Sequence, residues 1–123
     1  MNDSVTFEVL VDGVAVGTTM LELGDAPMGV ALGALVPSPS YSEFSERFDS
    51  CRPDAVPGGG VSVRQLGSTV TLECLVAGIF DYTRELPDEP PSVEVIGIPY
   101  PLYEQLFPQH VAAYQNQFPD SGT

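Results

Sequence analysis

Val5, Phe7, Val9 and Val11 recur at every second position of SVTFEVLV, Ser4–Val11. That is the spacing of a strand with one face buried. Asp12-Gly13 comes next, two residues that tolerate positive φ and so make a tight hairpin turn. VAVGTTMLEL, Val14–Leu23, is then the returning strand. GDAPMGVALG, Gly24–Gly33, turns the chain into a third apolar strand, about Gly29–Val36. Gly29 and Gly33 within it imply a close backbone approach or a bulge. After PSPSY, the series Ser40-Tyr41-Ser42-Glu43 has the form of a capping box, which predicts a helix over about Tyr41–Cys51. Its buried stripe is Tyr41, Phe44 and Phe48, and Glu43, Glu46 and Asp49 fall on the solvent side.

RPDAVPGGG, Arg52–Gly60, reads as a connection. VSVRQL and TVTLECLV are strand-like and meet across Gly67-Ser68, a two-residue II′ turn. On the second of them Cys74 shares a face with Val70, Leu72 and Val76, the setting of a buried free thiol. FDYTRELPDEPPS, Phe80–Ser92, is irregular, acidic and rich in proline; VEVIGIP, Val93–Pro99, is a last strand. Then Tyr103, Phe107, Val111, Tyr114 and Phe118 form a helical stripe interrupted by Pro108. Proline cannot sit inside a helix but suits the first turn of a new one. The pattern therefore predicts two short helices, about Pro101–Leu106 and Pro108–Gln117. The expected architecture is a single α+β domain over residues 1–123. Its mainly antiparallel sheet of five to six strands is covered on one face by a central helix and the two C-terminal helices.

Charge changes the picture most. Seventeen Asp and Glu stand against four Arg, with no lysine, for a net charge of −13. Such a chain repels nucleic acid and anionic lipid, and its field favours a basic partner. The first residues, MNDSVTFE, lack a basic start and apolar run, and the least polar run, Ala26–Pro37, falls short of the roughly 20 residues of a membrane helix. The expectation is a soluble, cytoplasmic protein that binds neither nucleic acid nor membrane; nothing here bears on its oligomeric state.

Motifs for catalysis are few. His110 is the only histidine, and it would need a nucleophile such as Cys51 and an orienting carboxylate such as Asp81 or Glu104. No spacing pairs these residues and no nucleophile turn is present, so His110 reads as a helix-start residue at the edge of the core stripe. Cys51 stands beside Arg52, a neighbour that lowers a thiol pKa. Gly58-Gly59-Gly60 lacks the lysine of a phosphate loop and the spacing of a dinucleotide fingerprint. With one His and no paired Cys, zinc has no obvious ligand set, and Asp81, Glu85, Asp88 and Glu89 do not follow the calcium-loop pattern. No catalytic residue, metal ligand or cofactor is assigned.

The acidic loop is better read as a recognition surface. IFDYTRELPDEPP places Phe80, Tyr82 and Leu86 among Asp81, Glu85, Asp88 and Glu89, apolar anchors with charge at their rim. Prolines at 87, 90 and 91 stiffen it. The candidate partner-binding residues are Asp81, Tyr82, Glu85, Asp88 and Glu89 with Glu43, Glu46 and Asp49. In charge and size alone the chain is similar to bacterial immunity proteins, which block a cognate toxin, and to inhibitors that mimic DNA. Arginine as sole cation and the Gly, Pro, Ala and Val content suggest a GC-rich bacterial genome. The expected function is therefore an inhibitor whose carboxylates pair with Arg and Lys of a toxin- or nuclease-like protein. The alternative is a small enzyme or ligand-binding protein with a pocket near His110, between the sheet and the C-terminal helices.

Overall fold

The computed structural model describes residues 5–117. Ser4 and Phe118, used in the strand and helix patterns above, lie outside that range. The strands are β1 (Phe7–Val11), β2 (Val14–Thr19), β3 (Leu23–Asp25), β4 (Val30–Ala34), β5 (Val36–Pro37), β6 (Val61–Gln65), β7 (Val76–Phe80) and β8 (Ser92–Ile96). Three α-helices, α1 (Ser45–Phe48), α2 (Leu102–Leu106) and α3 (Pro108–Gln117), join 3-10 turns at Ala26–Met28 and Pro39–Glu43.

The α+β class stands, but the single sheet does not. Two four-stranded antiparallel sheets form, ordered β5-β2-β1-β6 and β3-β4-β8-β7. The long strand expected over Val14–Leu23 breaks after Thr19. Thr19 Oγ1 accepts the Leu21 amide at 3.3 Å, and Leu21 takes a left-handed φ of 47°. That kink swings the chain out of the first sheet, and β3 begins the second. It crosses back at Leu35, between β4 in one sheet and β5 in the other.

Elsewhere the hairpin of β1 and β2 turns where expected, with Asp12 at φ 52° and Gly13 at φ 83°. TVTLECLV forms no strand of its own; only its last residue, Val76, is in a strand, as the start of β7. Ser68 N–H bonds the Gln65 carbonyl at 2.9 Å with Gly67 at φ 89°, so the turn is centred on Leu66-Gly67 and is not a II′ turn across Gly67-Ser68. One bridge, Arg64 to Thr71, follows, and then the chain departs to pair β7 with β8. Cys74 is consequently only half-buried, and Val70 and Val76 are exposed.

The central helix is also shorter than its pattern. Pro39, with fixed φ and no N–H, starts a 3-10 turn from Ser38, and no side-chain cap bond forms there, so the capping box is not made. α1 is one turn long and stops at Asp49, whose Oδ1 takes the Cys51 amide at 3.1 Å, a local bond that competes with helix continuation. The predicted stripe still packs, with Tyr41 and Phe48 buried and Phe44 against the core.

One core joins the inner faces of both sheets. Phe7, Val9, Val11, Val16 and Val63 from the first meet Ala31, Ile79, Val93 and Val95 from the second. α2 and α3 adjoin with Tyr103 and Phe107, fully buried, and the Phe107 ring lies 5.6 Å from that of Phe7. Each such large side chain withdrawn from water contributes about 1.5–3 kcal/mol. Here the two predicted helices are found, and the stripe buries Tyr103 and Phe107, whereas Tyr114 is exposed.

Candidate interaction surface

The two acidic segments, far apart in sequence, meet. Ser50 N–H donates to the Asp81 carbonyl at 2.7 Å, and Asp81 N–H donates to the Phe48 carbonyl at 3.2 Å. The end of α1 is thereby stitched to the start of the acidic loop. A small concavity of about 190 Å³ opens there, lined by Glu46, Asp49, Asp81, Thr83 and Arg84.

Within this junction the candidate residues differ in kind. The Asp81 side chain is buried: Oδ2 accepts from the Tyr41 hydroxyl at 2.6 Å, and Oδ1 accepts from Thr83 N–H at 2.9 Å and Oγ1 at 2.6 Å. Its carboxylate is occupied by the fold. Burial first, and the Asp81 carboxylate second, push the Tyr41 phenol far above its ordinary range. Asp49 is likewise engaged, by Cys51 N–H and by Arg84. Glu43, Glu46, Tyr82, Glu85, Asp88 and Glu89 face solvent.

Arginine leaves little positive field. Arg47 pairs with Asp12 at 3.0 Å, Arg52 with Asp54 at 3.1 Å, Arg64 with Glu8 at 2.7 Å, and Arg84 with Asp49. All four cations are held by carboxylates of the same chain. Among the described residues Glu22, Asp25, Glu43, Glu85, Asp88 and Glu89 have no ion-pair partner.

The loop folds over the outer face of the second sheet. Two turns shape it, with Leu86 N–H on the Tyr82 carbonyl at 2.8 Å and Glu89 N–H on the Leu86 carbonyl at 2.9 Å. Tyr82 and Leu86 then overhang a cleft of about 390 Å³ floored by Leu23, Leu32, Ala34 and Phe80. Glu22 and Glu89 stand on its rim. Tyr82, Leu86 and Leu23 are 48%, 53% and 61% exposed, so three large apolar side chains lie open among carboxylates. Sequence reasoning found Tyr82 and Leu86. It missed Glu22 and Leu23, because the break at Leu21 that brings them here has no pattern in the chain.

A second cleft, of about 480 Å³, lies between β3 and α3, lined by Glu22, Leu23, Asp25, Gln109, His110 and Ala113. Its histidine, the third residue of α3, is buried where the core meets this cleft. The His110 ring stacks on Phe107 at 4.8 Å and 6°, and its Nδ1 lies 2.9 Å from the Tyr103 hydroxyl. That hydroxyl also donates to the Val30 carbonyl at 2.7 Å. Nε2 is enclosed and makes no hydrogen bond. Burial holds the imidazole pKa down, opposed by the nearby Glu22 and Leu21 carbonyls. Cys51, proposed as its nucleophile, belongs elsewhere: its pKa is raised by burial, beside Glu85, and Arg52 is taken by Asp54. The lowering anticipated from Arg52 does not occur.

Among the described residues no group of His, Cys, Asp or Glu is placed to hold a metal ion, and no helix is long and apolar enough to cross a membrane. The chain matches no family model, no curated protein and no solved structure.

Proposed function

We propose that this chain is a non-enzymatic binding protein that captures a basic protein and blocks it, as an immunity-type inhibitor blocks a toxin or nuclease. The observation that carries the reading is the acidic loop: Tyr82 and Leu86 lie exposed over an apolar cleft whose rim is carboxylate, while every arginine is already paired within the chain. Apolar side chains at the centre supply affinity, and the surrounding charge steers the partner and selects its sign. Glu85, Asp88 and Glu89, joined by Glu46 and Glu43, are the groups offered to Arg and Lys. Asp81 and Asp49 serve by holding the loop against α1. A catalytic role for His110 is poorly supported, since its free nitrogen is enclosed and no nucleophile accompanies it.

The test is affinity capture from the source lysate at low salt with elution at high salt, repeated with the triple change E85K/D88K/E89K. One dominant basic protein, retained by the parent and lost by the triple variant, agrees with the reading. Capture that ignores both salt and the charge reversal refutes it.

A further inference from the structure

Sheet edges carry unpaired N–H and C=O groups, and proteins cover or blunt them. Three of the four edges here are so treated. β7 is covered by the connection before it, with its Ile79 N–H donating to the Pro57 carbonyl at 2.9 Å, and by the Asp49–Asp81 bridge just past its end. β6 is capped by the Thr71 bridge and by Leu72 N–H on the Val63 carbonyl at 2.7 Å. β5 is two residues long and ends in Pro37. β3 is the exception. It pairs with β4 on one side, and among the described residues no backbone group of Leu23, Gly24 or Asp25 bonds to anything else.

β3 also stands between the two clefts described above, and Leu23 and Glu22 line both. Leu23 shares the outer face with Leu32, opposite it in the β4 register; Gly24 points to α3, where a Cβ would collide with His110 Nδ1 and Tyr103 Oη. A strand laid along β3 sends alternate side chains to opposite faces. One set would therefore enter the cleft floored by Leu32 and overhung by Tyr82 and Leu86. The other would enter the groove beside α3, where Gln109 and Ala113 form the far wall and the strand is flanked by Glu22 and Asp25. α3 carries no Asp, Glu, Lys or Arg, and among the described residues no Arg or Lys lines either cleft. We propose that β3 is a docking edge, to which a basic partner contributes an extended segment with apolar side chains on the outer face and Arg or Lys on the α3 side. Main-chain bonds give the register and the two clefts give the specificity. The inference rests on the partner-binding reading and names the element of the partner that makes contact.

A synthetic peptide of about eight residues alternating Arg and Val is the probe, a length typical of a strand. With isotope-labelled protein, saturating peptide slows amide exchange at residues 22–25 by at least about tenfold, the protection expected when an open edge gains a partner. Copies N-methylated at every second residue, one in each phase, differ: the phase that removes the pairing N–H groups abolishes protection and the other does not. Ala113→Trp, at an exposed position of α3, fills the groove and weakens the peptide by about tenfold or more while the fold persists. Binding that perturbs only the loop 81–89 and leaves residues 22–25 unprotected overturns strand addition while leaving the acidic-surface reading intact. Absence of any peptide effect also overturns it, and the charge-reversal capture then judges the broader reading on its own.

Discussion

The Tyr41 hydroxyl donates to Asp81 Oδ2 at 2.6 Å, both groups buried and 40 residues apart in the chain. This bond, with those from Ser50 N–H to the Asp81 carbonyl and from Asp81 N–H to the Phe48 carbonyl, ties the 3-10 turn and α1 to the loop proposed to bind. Removing one partner of a buried bond to a charged group costs about 1.5–3 kcal/mol. Tyr41→Phe is expected to lower the free energy of urea unfolding by that amount with an unchanged denaturant slope. The alkaline limb follows from the same contact. The Tyr41 phenol is raised in the native state, so the unfolded chain loses its proton first and stability falls as pH climbs past about 10, the ordinary tyrosine value. Tyr103, pushed up to about 12 by burial, adds to the same decline. In Tyr41→Phe the decline is shallower.

Gly24 is required by packing and not by φ. A Cβ there would meet His110 Nδ1 and Tyr103 Oη. Overpacking of this kind costs about 1–3 kcal/mol, which is the loss expected for Gly24→Ala in thermal or urea unfolding. Tyr103→Phe removes one of the colliding atoms, so the double variant should lose less than the sum of the singles. Strict additivity would show that the β3–α2–α3 junction yields elsewhere.

What the sequence disclosed follows from the range over which each signal acts. Asp12-Gly13 and Pro108 act within three or four residues, and the turn and the division of α2 from α3 lie where they indicate. TVTLECLV has strong strand character, but the chain must leave the first sheet there to pair β7 with β8, and tertiary demand overrides local preference. The position of His110 on its helix was legible. Its burial was not, because it depends on Gly24, 86 positions earlier, having no side chain to keep the strand away. The acidic loop was recognisable as apolar side chains among carboxylates. That Asp81 turns inward while Glu85, Asp88 and Glu89 stay out reflects one tyrosine and one threonine that composition cannot place.

Charge at the loop should separate binding from stability. Glu85, Asp88 and Glu89 are exposed and without ion pairs among the described residues, so E85K/D88K/E89K is expected to shift unfolding by no more than about 0.5 kcal/mol per site. Against −13 overall, relief of self-repulsion makes a slight gain the more natural direction. Added salt should act in the same direction on the parent. The Debye length falls from about 30 Å at 0.01 M to about 10 Å at 0.1 M, which screens the excess of carboxylates. A urea midpoint that rises with sodium chloride in the parent, and rises less in the triple variant, is the expected pair of results.

His110 gives the protein a weak point on the acid side of neutrality. Its native pKa is depressed, chiefly by burial against Phe107 and Tyr103. The unfolded chain therefore takes up the proton first, at about 6.5. The stabilisation is present above that pH and is lost as pH falls through the lower native value. The groups around the ring are the Tyr103 hydroxyl and the carbonyls of Leu21 and Glu22, with the Glu22 and Asp25 carboxylates on the same cleft. His110 is the chain's single histidine, so the loss of stability that begins as pH falls below about 6.5 is assigned to it. His110→Gln is less stable at neutral pH, having lost the ring stack on Phe107. Its unfolding free energy should nonetheless vary less than the parent's between pH 7 and 5. Measured by urea unfolding at half-unit steps, the difference between the two chains should narrow as pH falls. A constant difference would mean that the imidazole keeps the same pKa in both states, and that the carbonyls of Leu21 and Glu22 fully offset its burial.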